Sequence, residues 1–173
     1  DGTWRTPLTV SQAGSYRVFA DFKREGRSQT LAADLAVDGR VNWRALPPPA
    51  TTARTTDGYE VRINGTRTRA GRESELRFEV SRGGRPVEVE PYLGAGGHLV
   101  ALREGDLAYL HVHPTEGGHE AGASPAHGED TAPGHGEPIA FATEFPSEGR
   151  YRLFLQFKHG GRVHTAAFTR EAR

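Results

Sequence analysis

The chain has 173 residues, 22 Lys and Arg against 22 Asp and Glu, 22 Gly, 11 Pro, and neither Cys nor Met. Its length allows one large or two small domains with a real core. Zero net charge leaves no electrostatic footprint for nucleic acid or an anionic membrane surface, and the missing sulfur excludes disulfides, thiol catalysis, thiolate zinc sites and thioether copper ligands.

Asp1-Gly2 reads as a turn and Thr3 to Val10 as extended chain. Tyr16, Val18, Ala20 and Phe22 then alternate with polar or smaller residues, the signature of a strand, and Glu25-Gly26 marks a turn before Ser28 to Val37. A second strand is expected there, with a helix over Leu31 to Val37 as the weaker alternative.

This segment recurs near the C-terminus at a constant offset of 135 residues. Gly14, Tyr16, Arg17, Phe19, Phe22, Lys23, Gly26, Arg27, Thr30 and Ala32 match Gly149, Tyr151, Arg152, Phe154, Phe157, Lys158, Gly161, Arg162, Thr165 and Ala167. An ungapped match of that extent predicts an internal duplication. Residues 1–37 are therefore expected to be the C-terminal strands of a truncated first copy, packed on the second domain or on another chain, because few strands alone are marginally stable.

Residues 38–57, with Pro47-Pro48-Pro49 and an aperiodic Thr/Ala run, read as a Pro-rich linker. Residues 58–173 read as a complete second domain. Tyr59, Val61 and Ile63 alternate, as do Leu76, Phe78 and Val80, and Gly83-Gly84 supplies a turn before Val87 and Val89. Further strands are expected over Leu99 to Leu102, Leu107 to Val112, Ile139 to Thr143, Arg150 to Phe157 and Arg162 to Phe168. Some eight short strands without helical period predict an all-β fold, an antiparallel immunoglobulin-like β-sandwich.

The chemistry concentrates in Gly94 to Pro114. Arg103-Glu104-Gly105-Asp106 has hairpin-turn composition. With Glu104 and Gly105 as the central pair, Leu102 faces Leu107, Val100 faces Tyr109 and His98 faces His111, while His113 follows His111 on the same side by the period of two. Imidazole is the commonest ligand for copper, zinc and nickel, so His98, His111 and His113 form a candidate metal site. An odd loop would send His98 to the opposite face.

His164 is the fourth candidate ligand, because Gln29 replaces it in the first copy and it would lie opposite Phe157 near the mouth of the site. Glu88 and Glu90 could orient an imidazole, whereas Asp106 suits a turn role. The stretch 114–138 is Gly-, Ala- and Pro-rich and is expected to be a flexible loop. It carries His119, His127 and His135 at even spacing, as either a tolerated insertion or a metal-gathering tract.

The stretches PYLGAGGHLVALREGDLAYLHVHP and GRYRLFLQFKHGGRVHTAAF resemble bacterial exported proteins with Ig-like domains of the copper-resistance CopC-like and YtkA-like kind. The resemblance covers residues 58–173, with 1–37 as the end of a preceding copy. It implies an exported metal-binding module, periplasmic or extracellular and anchored through a missing N-terminal segment, that passes its metal to a membrane transporter or another receiving protein. The chain departs from that pattern in having no Met-rich segment and no N-terminal histidine, which argues against Cu(I) and copper-oxygenase chemistry.

The expected function is non-enzymatic storage, delivery or resistance for Cu(II) or Zn(II). No Ser/His/Asp set, phosphate loop or paired-carboxylate site stands out, and no apolar run is long enough to insert in a membrane. The alternatives are a Cu,Zn superoxide dismutase-like metalloenzyme, which would use His119, His127, Asp130 and His135, and an adhesion or scaffold sandwich whose histidines are incidental.

Overall fold

In a computed structural model the described residues are 3–25, 27–65, 68–92, 95–114 and 138–173. For Lys23, Arg27, Ser28, His111, His113 and Pro114 the description covers the backbone alone. Every regular element among them is a strand, and the chain divides into two compact units, Asp1–Ala45 and Leu46–Arg173.

The first unit is one antiparallel hairpin of β1 (Gly14–Arg24) and β2 (Arg27–Val37), paired from Gly14↔Val37 to Arg24↔Arg27. Leu31 to Val37 is therefore strand and not helix. Val18 and Leu31 are β-formers on one face of the pleat, and Asp21 and Asp34 hold the other by accepting from Thr30 and Arg17.

Among its described residues the second unit holds nine strands: β3 (Thr52–Arg54), β4 (Tyr59–Gly65), β5 (Glu73–Arg82), β6 (Arg85–Pro86), β7 (His98–Arg103), β8 (Tyr109–Pro114), β9 (Ile139–Glu144), β10 (Gly149–His159) and β11 (Arg162–Ala172). They run in the order β11-β10-β7-β8-β9-β5-β4-β3, with the short β6 on β5, and every pairing is antiparallel. The path folds over at β8. Its first four residues pair with β7, and then His113 and Pro114 pair with Ala142 and Phe141 of β9.

The two layers so formed close on a single core, which makes the unit an antiparallel β-sandwich. Tyr59, Val61, Ile63, Leu76, Phe78, Ile139 and Phe141 from one layer meet Leu99, Ala101, Leu153, Leu155, Phe157, Ala166 and Phe168 from the other, all fully or nearly fully buried. Phe78 lies 5.7 Å from Phe168 and Tyr59 lies 5.4 Å from Phe157, ring centre to ring centre, across the interface. Each such side chain contributes on the order of 1.5–3 kcal/mol by leaving water.

The linker expected over 38–57 is only in part a linker. The Ala50 amide donates to the Thr169 carbonyl at 3.2 Å, and the Thr51 carbonyl accepts from the Ile63 amide at 2.8 Å. Residues 52–54 then form β3 along β4, and Arg150 donates to the carbonyls of Leu46 and Pro47. This segment spans from β11 to β4, so it covers the edge strands that would otherwise present unpaired amides. The Pro run suits that path because an edge-following extended chain needs few donors.

Candidate functional site

The hairpin of β7 and β8 is closed by four residues, Glu104 to Leu107, and not by two. The Arg103 amide donates to the Ala108 carbonyl at 3.1 Å and the Leu107 amide to the Arg103 carbonyl at 3.1 Å. Gly105 has φ +100° and Leu107 φ +55°, left-handed positions that let the loop reverse. Asp106 accepts from the Ala108 amide at 3.1 Å and from the Arg103 guanidinium. The bond with Arg103 holds the Asp106 carboxyl far below its ordinary range, so this residue belongs to the turn.

The longer loop corrects the expected register by two positions. Val100, not His98, faces His111, and Leu102 faces Tyr109. Four is still an even number, so parity survives: His98 and His111 fall on register positions of the outer side of the β7–β8 pair, the side of Val100 and Leu102, and His113 follows His111 by the period of two where β8 passes to β9. Leu99, Ala101 and Val112 occupy the opposite, buried side. His98 is half-buried and faces Gln156 of β10, whereas His113 is already paired with the small, half-buried Ala142 of β9. The side chains of His111 and His113 lie outside the described residues, as do His119, His127 and His135 altogether.

Gly97 fixes where this cluster begins. A Cβ there would come within 2.9 Å of the Gln156 carbonyl oxygen and 3.4 Å of Ile139 Cδ1. Glycine thus lets the chain enter β7 pressed against β10, immediately before His98.

His164 does not join the other three. It faces Phe157 across β10 and β11, as expected, but that pair lies on the inner side of the sheet while Gln156 and His98 lie on the outer. Its ring is 7% exposed and stands 4.4 Å from Tyr59 and 5.3 Å from Phe157, centre to centre. Nδ1 bonds the Asp57 carboxylate, and Nε2 lies 3.0 Å from the His159 carbonyl oxygen. The carbonyl oxygen and the carboxylate are both acceptors, so each ring nitrogen faces an acceptor group of the protein. Both ring nitrogens are engaged by protein groups, on the side of the sheet away from His98.

A polar cluster surrounds it at this end of the sandwich. The Tyr59 hydroxyl lies 2.7 Å from His159 Nδ1, and the Arg82 guanidinium carbon stands 4.8 Å over the Tyr59 ring. Thr55 donates its hydroxyl to Asp57 and accepts from the Tyr59 amide at 3.0 Å. The Thr55 bond first, and the His164 contact after it, hold the Asp57 carboxyl below its ordinary value. Composition could not reveal Asp57 as a partner, but Thr55-Thr56-Asp57-Gly58 is a turn sequence whose side chains bond their own backbone.

Glu90 does not orient an imidazole. It accepts from the Gly161 amide at 2.9 Å and pairs with Lys158 at 3.2 Å, which keeps its carboxyl low and ties it to the β10–β11 turn. Among the described residues no group of three or more His, Cys, Asp or Glu side chains is gathered closely enough to hold a metal ion.

The family model described as "Domain of unknown function (DUF8832)" matches residues 53–173. The chain belongs to this family. The matched span begins within β3, so the DUF8832 domain takes in Thr55, Asp57 and the whole sandwich that carries both histidine groups. No curated protein and no solved structure matches the chain.

Proposed function

We propose that this DUF8832 domain is a non-enzymatic binder of Cu(II) or Zn(II), with His98, His111 and His113 as the ligands. The observation that supports it is the even, four-residue loop, which keeps the three residues on one side of the sheet although the register differs from the simplest hairpin. On this register His98 and His111 are diagonal neighbours, a relation that places residues about 7–8 Å apart, within the span that two imidazole arms can close around one ion. A donor set of neutral imidazoles without sulfur suits Cu(II) or Zn(II) over Cu(I). Storage, delivery or resistance outside the cytoplasm, with a membrane transporter or another protein receiving the metal, is the role that goes with it. No helix of the described residues is long and apolar enough to cross a membrane.

Calorimetric titration of the intact chain with Cu(II) and Zn(II), beside a His98→Ala/His111→Ala/His113→Ala variant, tests the site. At least a tenfold loss of affinity is expected for one of the two ions, at unchanged thermal stability. Equal binding by both proteins, or binding lost only in a His119→Ala/His127→Ala/His135→Ala variant, would refute it.

A further inference from the structure

The β1–β2 and β10–β11 hairpins have the same design to the residue. Each strand has 11 residues, each turn has two, and Gly14↔Val37 corresponds to Gly149↔Ala172 at the same offset that relates their sequences. Their surroundings differ. In β10–β11 the face made by Leu153, Leu155, Phe157 and Ala166 is entirely buried beneath the opposite layer of the sandwich. The corresponding face of β1–β2 is open, with Val18 42%, Phe22 38%, Leu31 62% and Leu35 37% exposed.

One cross-strand pair gives the open face the same volume as its buried counterpart. Ala20 faces Leu31 in the first hairpin, and Leu155 faces Ala166 in the second. The large and small residues have changed strands, but the volume offered at that layer is the same, as close packing demands. A solvent-facing hairpin has no reason to keep such a sum. Polar residues at those positions would cost nothing, and an isolated hairpin of this kind is marginal in water.

We infer that the Val18–Phe22–Leu31–Leu35 face of β1–β2 is the seat of a sheet with the chemistry of β4–β5–β9, supplied by a preceding copy of the same domain in the polypeptide. The occupant is an antiparallel sheet with a Tyr/Val/Ile strand beside a Leu/Phe/Val strand, as in Tyr59, Val61, Ile63 and Leu76, Phe78, Val80. At the layer where Phe168 fills the second hairpin the first has Ala33, so the occupant must bring a larger side chain there. Gln29 stands in place of His164, so it need not bring a carboxylate like that of Asp57.

A transplant in the full chain tests this, with residues 149–172 replaced by the sequence of residues 14–37. If β1–β2 is shaped for that sheet, the chain should unfold cooperatively in urea, at a lower midpoint than the parent, and Ala33→Phe within the transplanted copy should recover part of the loss. A transplant shifted by one position, which turns the apolar residues outward, should show no cooperative transition. In the parent chain, β1–β2 amides should exchange about a hundredfold faster than those of β10–β11, with a monomer by sedimentation across the micromolar range. Failure of both in-register transplants to fold cooperatively would overturn the inference. So would a parent dimer dissolved by Phe22→Glu, which would assign the face to a second copy of the chain.

Discussion

Replacing His164 by Ala separates a core residue from a metal ligand. The ring is 7% exposed and loses its packing on Tyr59 and Phe157 together with its bonds to Asp57 and the His159 carbonyl. Ring burial is worth about 1.5 kcal/mol, and each of two hydrogen bonds contributes about 1 kcal/mol net, so about 3–4 kcal/mol should disappear. Urea unfolding followed by tyrosine and tryptophan fluorescence should show that loss as a lower midpoint with an unchanged slope. Cu(II) and Zn(II) affinity, measured well below the unfolding transition, should stay within twofold of the parent. A destabilisation under about 1 kcal/mol, far below the range for core truncations, would refute the packing argument. So would a tenfold loss of metal affinity in a stably folded variant, which would restore His164 to the ligand set.

Other perturbations give outcomes of different kinds. Gly97→Val places side-chain carbon against the Gln156 carbonyl and Ile139; a loss of about 1–3 kcal/mol is expected, with weakened metal binding because β7 can no longer enter beside β10. Leu107→Gly relieves a left-handed φ of +55° on an exposed side chain and should raise stability by about 0.5–1 kcal/mol in thermal unfolding; a loss would show that the side chain matters more than the backbone. The carboxyls of Asp57 and Asp106 both titrate below the unfolded value of 3.8. Their stabilisation is therefore fully present above that value and lost as pH falls through the lower, folded pKa. The urea midpoint should fall on acidification below pH ~4, and an Asp57→Asn/Asp106→Asn variant should show a shallower acid limb. A parental acid limb in that variant would contradict the assignment.

The all-β fold and most strand positions were legible because alternation in Tyr59–Ile63, Leu76–Val80 and Arg150–Phe157 is a direct image of one buried sheet face. Three features were not. The β7–β8 loop has turn composition over Arg103–Asp106, but whether two or four residues reverse the chain depends on Leu107 accepting φ +55°, which no propensity for leucine suggests. Residues 50–54 read as linker because a short edge strand has no alternation to display, and its role comes from covering β4 and β11. The position of His164 opposite Phe157 was legible, yet the pairing says only that the two share a side. That this is the inner side follows from Leu155 and Phe157 belonging to the core, and the partner that satisfies the ring, Asp57, lies 107 residues away.

The period of two sorts the histidines more firmly than their chemistry does. On β10, Gln156 and Phe157 are neighbours in sequence, and the strands on either side copy their opposite directions: His98 pairs with Gln156, His164 with Phe157. The inner histidine must therefore be satisfied by protein groups, because a buried ring nitrogen without a partner carries the full cost of desolvation. Asp57 and the His159 carbonyl meet that need. His98, His111 and His113 fall on register positions of the outer side, so the proposed metal site rests on that face. For that reason the metal hypothesis stands or falls with the outer face alone.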